Sequence, residues 1–167
     1  MDRSLFFSVL LCLVSVQNSK AQEMNLGKLQ EIISKVSDTA ITNGNSIQFF
    51  LGERSFFCIH DENANRMRII SPIVEREKLG EKELLNALVA NFHSALDVKY
   101  ALSDEIIWSV FTHPLKELSA AQVVDAIKQV YAAAITFGSS YSSTNLVFPG
   151  NTKKKETPRM KKLIEKG

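Results

Sequence analysis

Ile47-Gln48-Phe49-Phe50-Leu51-Gly52-Glu53-Arg54-Ser55-Phe56-Phe57-Cys58-Ile59-His60 is the stretch whose reading decides the fold. Two runs rich in aromatic and branched residues flank Gly52-Glu53-Arg54, so Ile47 to Leu51 and Ser55 to His60 read as a β-hairpin. Neither run alternates between apolar and polar residues. Phe56 and Cys58 point one way, Phe57 and Ile59 the other, and Phe49 and Phe50 repeat the pattern. An antiparallel sheet with one wet face alternates cleanly, so this sheet has two apolar faces. Burying each such aromatic stabilises by about 1.5–3 kcal/mol, and a whole row left wet would invite aggregation. Something must cover both faces.

Working outward, Met67 to Val74 is a third strand, in which Pro72 implies an edge position or a bulge. Upstream, Asn25 caps a first helix running to about Thr42. Leu26, Leu29, Ile32, Ile33, Val36 and Ala40 form its stripe, and Asn43-Gly44-Asn45 stops it. Downstream, Gly80 starts a second helix with Leu84, Leu85, Leu88, Val89, Phe92 and Leu96 on one apolar face. Tyr100 to Ser103 and Ile106 to Thr112 form a hairpin turning at Asp104-Glu105. Ser119-Ala120-Ala121-Gln122 is a capping box opening a third helix, which Gly138 stops. The order is α-β-β-β-α-β-β-α, an α+β fold of three helices on an antiparallel sheet of about five strands. Leu146-Val147-Phe148 is a candidate last strand in a polar arm.

The chain's ends differ from its body. Met1 to Ala21 reads as a secretory signal peptide: Arg3, an apolar run from Leu5 to Val16, and small Ser19 and Ala21 before Gln22. That run of about 12 residues is too short to span a bilayer, which needs about 20. The expected division is 1–21 signal peptide, 22–150 one α+β domain and 151–167 a basic tail, with a periplasmic or secreted location. Residues 22–150 hold 11 Lys/Arg and 15 Asp/Glu, whereas 151–167 hold 7 and 2. The acidic body offers no nucleic-acid surface, and the tail could make weak contact with anionic membrane. With Cys12 removed, Cys58 has no intrachain partner and reads as a buried thiol.

Two explanations cover the second apolar face. Either the three helices divide between the faces, or the C-terminal arm folds back; alternatively, a second copy or an extended peptide lies across the sheet. For the partner reading, Phe49, Phe56, Trp108 and Phe111 are the candidate binding residues, with the third helix as an alternative dimer seam.

The local patterns that follow carry a resemblance. Ala90-Asn91-Phe92, then Tyr100-Ala101-Leu102-Ser103-Asp104-Glu105-Ile106-Ile107-Trp108, and Met67-Arg68-Ile69-Ile70-Ser71 resemble the type III secretion chaperone-like fold, specifically its YbjN-type branch. The resemblance runs from about Leu26 to Tyr141. It implies a homodimer that binds segments of other proteins without chemistry. Secretion chaperones of this fold act in the cytoplasm, whereas the signal peptide exports this chain.

The residues themselves offer little catalytic chemistry. Cys58-Ile59-His60-Asp61-Glu62 gathers a thiol, an imidazole and carboxylates, and defines a second reading, a small enzyme or ligand carrier with a pocket near Cys58, His60 and His93. A cysteine nucleophile needs a base within hydrogen-bond reach, and Cys58 and His60 sit two strand positions apart. Zinc wants three or four ligands, and His93 and His113 have no spacing relation to the cluster. No phosphate loop or nucleophile elbow occurs, so no metal or cofactor is expected. Asn91 is placed for its amide to bond strand backbone near Tyr100.

Overall fold

The computed structural model describes residues 23–148. Helix α1 (Leu26–Val36) is followed by strands β1 (Thr39–Asn43), β2 (Ser46–Leu51), β3 (Arg54–Asp61) and β4 (Arg66–Glu75). A 3-10 turn (Arg76–Lys78) leads into α2 (Glu81–His93), then β5 (Val98–Ser103), β6 (Ile106–His113) and α3 (Ala120–Thr136). The six strands form one antiparallel sheet in the order β1-β2-β3-β4-β6-β5. The fold class is α+β, as expected, with six strands rather than five. The signal-like residues 1–21 and the basic tail 151–167 lie outside the described residues.

The extra strand comes from what reads as the end of the first helix. Asn25 caps α1 through Lys28 N–H at 3.0 Å, but the helix stops at Val36. Ser37 turns extended, and its N–H and hydroxyl both bond the Ile33 carbonyl. The β-branched Thr39, Ile41 and Thr42 then favour a strand. Asn43 pairs with Ser46, and Gly44, at φ +57°, makes the tight turn between them. Asn-Gly here closes a hairpin instead of ending a helix. Ala40, the last residue of the supposed helical stripe, packs on the core from the inner side of β1.

The other punctuation matches the sequence reading. The register of β4 against β6 shifts between Pro72 and Val74, the bulge that Pro72 implied. Gly80 caps α2, and Ser119 with Gln122 makes the reciprocal capping box of α3. Asp104 and Glu105, both at positive φ, make the β5–β6 turn. Gly138 at φ +81° follows α3. Helix α2 ends at His93 rather than Leu96, because Ser94 and Ala95 N–H both close on the Ala90 carbonyl and Leu96 is left-handed. Leu146 to Phe148 form no strand. Phe148 instead bonds His93 through its N–H and carbonyl, tying the arm to the end of α2.

Helices α1 and α3 pack on one face of the sheet. There Leu29 and Ile33 of α1 and Val123, Ile127 and Val130 of α3 meet Ile47, Phe49, Phe56, Cys58, Ile69 and Phe111, all buried. Phe49 stacks on Phe56 at 5.1 Å, and Phe56 on Tyr131 of α3 at 6.4 Å. Two serines face this core with their hydroxyls satisfied: Ser71 donates to Ser55 O, and Ser109 to Val130 O. Helix α2 lies beside the outer edge of β5. The helices are therefore not shared between the faces, and among the described residues none crosses the second face.

Candidate polypeptide-binding surface

Strand alternation places Ile41 of β1, Gln48 and Phe50 of β2, Phe57 and Ile59 of β3, and Ile70 and Pro72 of β4 on the face away from α1 and α3. Trp108 and Val110 of β6 complete it. Strand register joins them into rows: Ile41 opposes Gln48, Gln48 opposes Phe57, Phe57 opposes Ile70, and Ile70 opposes Val110. In the neighbouring row Pro72 opposes Trp108. Phe57 and Trp108 meet edge to face at 6.4 Å, and the indole N–H donates to Ser103 O at 3.2 Å. Each of these side chains leans on its neighbours, so most are half-buried. Arg66, Arg68, Lys99 and Asp61 border the patch and are exposed.

Of the four candidate residues, this face holds one. Trp108 lies in it, whereas Phe49, Phe56 and Phe111 are buried under α1 and α3. The lack of alternation shows that both faces are apolar but does not say which face the helices choose. Phe57, Phe50, Ile70 and Ile41 belong with Trp108. Their signal was present in the sequence, as the strand partners of opposite parity to Phe56 and Phe49.

The two edges of the sheet are treated differently. The β5 edge is occupied. Asn91 of α2 receives Tyr100 N–H on Oδ1 at 2.8 Å and donates from Nδ2 to Tyr100 O at 3.2 Å. One side-chain amide thus mimics a neighbouring strand, in the place that the sequence suggested. Lys99 Nζ closes the same corner on the carbonyls of Asn91 and Leu96. Tyr100 is also held from within, its hydroxyl donating to Ala133 O at 2.9 Å, and burial pushes that phenol up to about 12.

The β1 edge has no such cover among the described residues. The two-residue turn makes Asn43 and Ser46 a hydrogen-bonded pair, so alternate residues Ala40 and Thr42 direct their N–H and C=O away from β2. The strand carries no charge or proline, and Ile41 is 65% exposed. Natural sheets usually blunt such an edge with lysine, proline or a covering element.

The chemical candidates are arranged differently. Cys58 is fully buried, and desolvation pushes its thiol up to about 12, so it carries no thiolate near neutral pH. His60 is 7% exposed on the same inner face, and neither ring nitrogen has a hydrogen-bond partner among the described residues. His93 bonds the arm through Phe148 O, and His113 Nδ1 lies 2.8 Å from Pro114 O. Among the described residues no three His, Cys, Asp or Glu side chains come together as a metal site. An open groove of about 880 Å³ between the β2–β3 turn and α3 is lined by Asp38, Arg54, Lys128 and Tyr131 among others, without Cys58 or His60.

No family model matches the chain, and no curated protein matches it in sequence. Solved structures do match the fold. A chain of the HopA1–SchA chaperone–effector complex aligns with a TM-score of 0.52 at 9% identity, covering 68% of this chain and 96% of that one. The Yersinia pestis type III secretion chaperone SycH, solved with a stable fragment of YscM2, aligns with a TM-score of 0.52 at 15% identity. That match covers 66% of this chain and 97% of that one. The fold is therefore that of the type III secretion chaperones, as the sequence pattern implied. At these identities the likeness concerns architecture alone.

Proposed function

We propose that this protein is an exported, non-enzymatic homodimer that binds an extended segment of another polypeptide, in the manner of a chaperone. The observation that carries the reading is the uncovered apolar face of Phe50, Phe57, Ile70 and Trp108 beside the free β1 edge. A strand added at β1 gains main-chain hydrogen bonds, and its side chains on the open side extend the apolar face next to Ile41. The two structural neighbours support it, since each comes from a complex of a chaperone with another polypeptide. Export rests on the signal-like residues 1–21, and assignment to the YbjN-type branch rests on the sequence resemblance alone.

Selection of displayed random peptides against the full chain tests the binding site. Peptides with apolar residues at every second position are expected, and Ile41→Lys should weaken their binding at least about tenfold by placing a charge on the edge. Selected peptides indifferent to both Ile41→Lys and Trp108→Ala would remove the proposal. Export is tested separately by the intact mass of the native protein. A mass beginning at Gln22 supports it, and one beginning at Met1 returns the protein to the cytoplasm.

A further inference from the structure

A second exposed apolar surface surrounds the end of α2. On its side toward the sheet this helix buries Ala87 and Ala90, held close to β5 by the Asn91 amide. Its large residues Leu85, Leu88, Val89 and Phe92 recur at i, i+3, i+4 and i+7 and face solvent, Phe92 at 73% exposure. The sequence reading took this stripe to be the covered face. The periodicity is real, but the sheet edge accepts only the alanine side. The C-terminal arm brings further apolar side chains to the same place. Phe92 lies edge-on to His93 at 4.9 Å, and His93 holds Phe148 by backbone and ring. Leu146, Val147 and Phe148 are nevertheless 54, 55 and 55% exposed. The arm is fastened by its backbone and presents its side chains outward.

We propose that this end of the molecule attaches to a membrane of anionic lipid, Leu146 and Phe148 entering the interface and the basic tail contacting the headgroups. The inference is independent of the polypeptide-binding reading, because it uses neither the Phe57–Trp108 face nor the β1 edge. Two features select a bilayer as the partner. The first is the order of apolar and charged residues along the chain. Ser139 to Phe148 carry no charge, whereas 151–167 hold 7 Lys/Arg and 2 Glu, beginning with Lys153-Lys154-Lys155. Lys153 stands five residues beyond Phe148, at most about 18 Å of extended chain. An apolar patch followed at once by charge of one sign matches a surface with an oily interior and an anionic rim. The second is that the two parts complete each other. One weak anchor binds a membrane marginally and reversibly, whereas an apolar element combined with a polybasic stretch holds. The folded body does not oppose the contact. Lys99 Nζ sits on the carbonyls of Asn91 and Leu96 at this end of α2, and Asp97 is engaged by Gln129 of α3 at 3.4 Å.

Vesicle co-sedimentation of the full chain tests this, with phosphatidylcholine containing about one-third phosphatidylglycerol against phosphatidylcholine alone. The wild type is expected to bind the anionic vesicles at least about 100-fold more tightly than the neutral ones, and to leave them as salt is raised. Leu146→Ser/Phe148→Ser keeps the backbone bonds to His93, so it should bind about tenfold more weakly with unchanged circular dichroism. Lys153→Gln/Lys154→Gln/Lys155→Gln should weaken binding about 100-fold and flatten its salt dependence. Phe148→Trp in a Trp108→Phe background should shift its emission to the blue on the anionic vesicles, reporting entry into the interface directly. A wild type without preference for anionic vesicles, or a serine variant that binds as well as the wild type, overturns the proposal. An unshifted Phe148→Trp emission does the same, since the patch would then stay in water. Binding that survives both sets of changes belongs to another segment, such as residues 5–16, and also overturns it. If soluble polyglutamate binds as tightly as the vesicles, the tail is a docking arm for acidic proteins and the membrane assignment fails.

Discussion

Strand β3 sets two environments side by side. Phe56, Cys58 and His60 face the helices and are buried, whereas Phe57 and Ile59, one residue along, face the uncovered side. The chemistry of the two rows is nearly the same and their surroundings are not. The inner row is committed to stability: Phe56 is stacked on both sides, by Phe49 and Tyr131. Among the described residues the outer row makes one aromatic contact, Phe57 on Trp108, and no helix packs on the rest of its surface. The comparison teaches that an aromatic pair in a strand can be divided between a covered and an open face of one sheet.

The sharpest way to break this comparison is truncation. Phe56→Ala should cost about 3–5 kcal/mol in urea unfolding, whereas Phe57→Ala should cost less than about 1.5 kcal/mol. Equal losses would mean that the outer face is covered too.

Alkaline pH separates the rows next. The Cys58 thiol is raised from 9.0 to about 12 by burial, so the folded protein keeps this proton where the unfolded chain loses it. Its contribution is complete below pH 9 and declines as the pH rises toward 12, by at most about 1.4 kcal/mol per pH unit. Tyr100, raised from 10.0 to about 12, acts in the same direction from pH 10. Cys58→Ala should flatten the slope between pH 9 and 10 in denaturation measured across that range. A thiol placed on the outer row by Ile59→Cys should react with maleimide in the folded protein, while Cys58 reacts only on unfolding.

Smaller effects follow at the edge and at the buried imidazole. Asn91→Ala removes both amide bonds to Tyr100 and should destabilise by about 2 kcal/mol. It also uncovers β5, so sheet-mediated association should rise in sedimentation at high concentration. His60→Leu should stabilise by about 1 kcal/mol in the same urea assay, because it replaces a buried polar ring that has no partner among the described residues. A loss of stability there would show that the imidazole is satisfied in solution.

Much of this was legible in the sequence. The capping box at Ser119, the Asp104-Glu105 turn, the bulge at Pro72 and the Asn91 bridge each depend on a few adjacent residues with one stereochemical use. Strand β1 was not legible, because Ala40 follows Val36 at helical spacing and Asn43-Gly44 serves equally as a helix stop or a hairpin turn. The candidate binding residues were half legible. Two apolar faces could be read from Phe56-Phe57, but Trp108 alone of the four chosen residues fell on the open one.

By itself, then, the sequence determined local geometry and the demand that two sheet faces and one helical stripe be buried. Backbone stereochemistry and hydrophobic period act over a few residues, so a single chain reads them directly. Which face the helices took, and that α2 turned its alanines inward and its leucines out, was decided only by tertiary structure. Burial depends on what lies opposite, and α1 and α3 meet the sheet from one side while the β5 edge admits only a helix that can approach closely. Among the described residues, the Phe57–Trp108 face, the β1 edge and the α2 stripe are what that choice left uncovered.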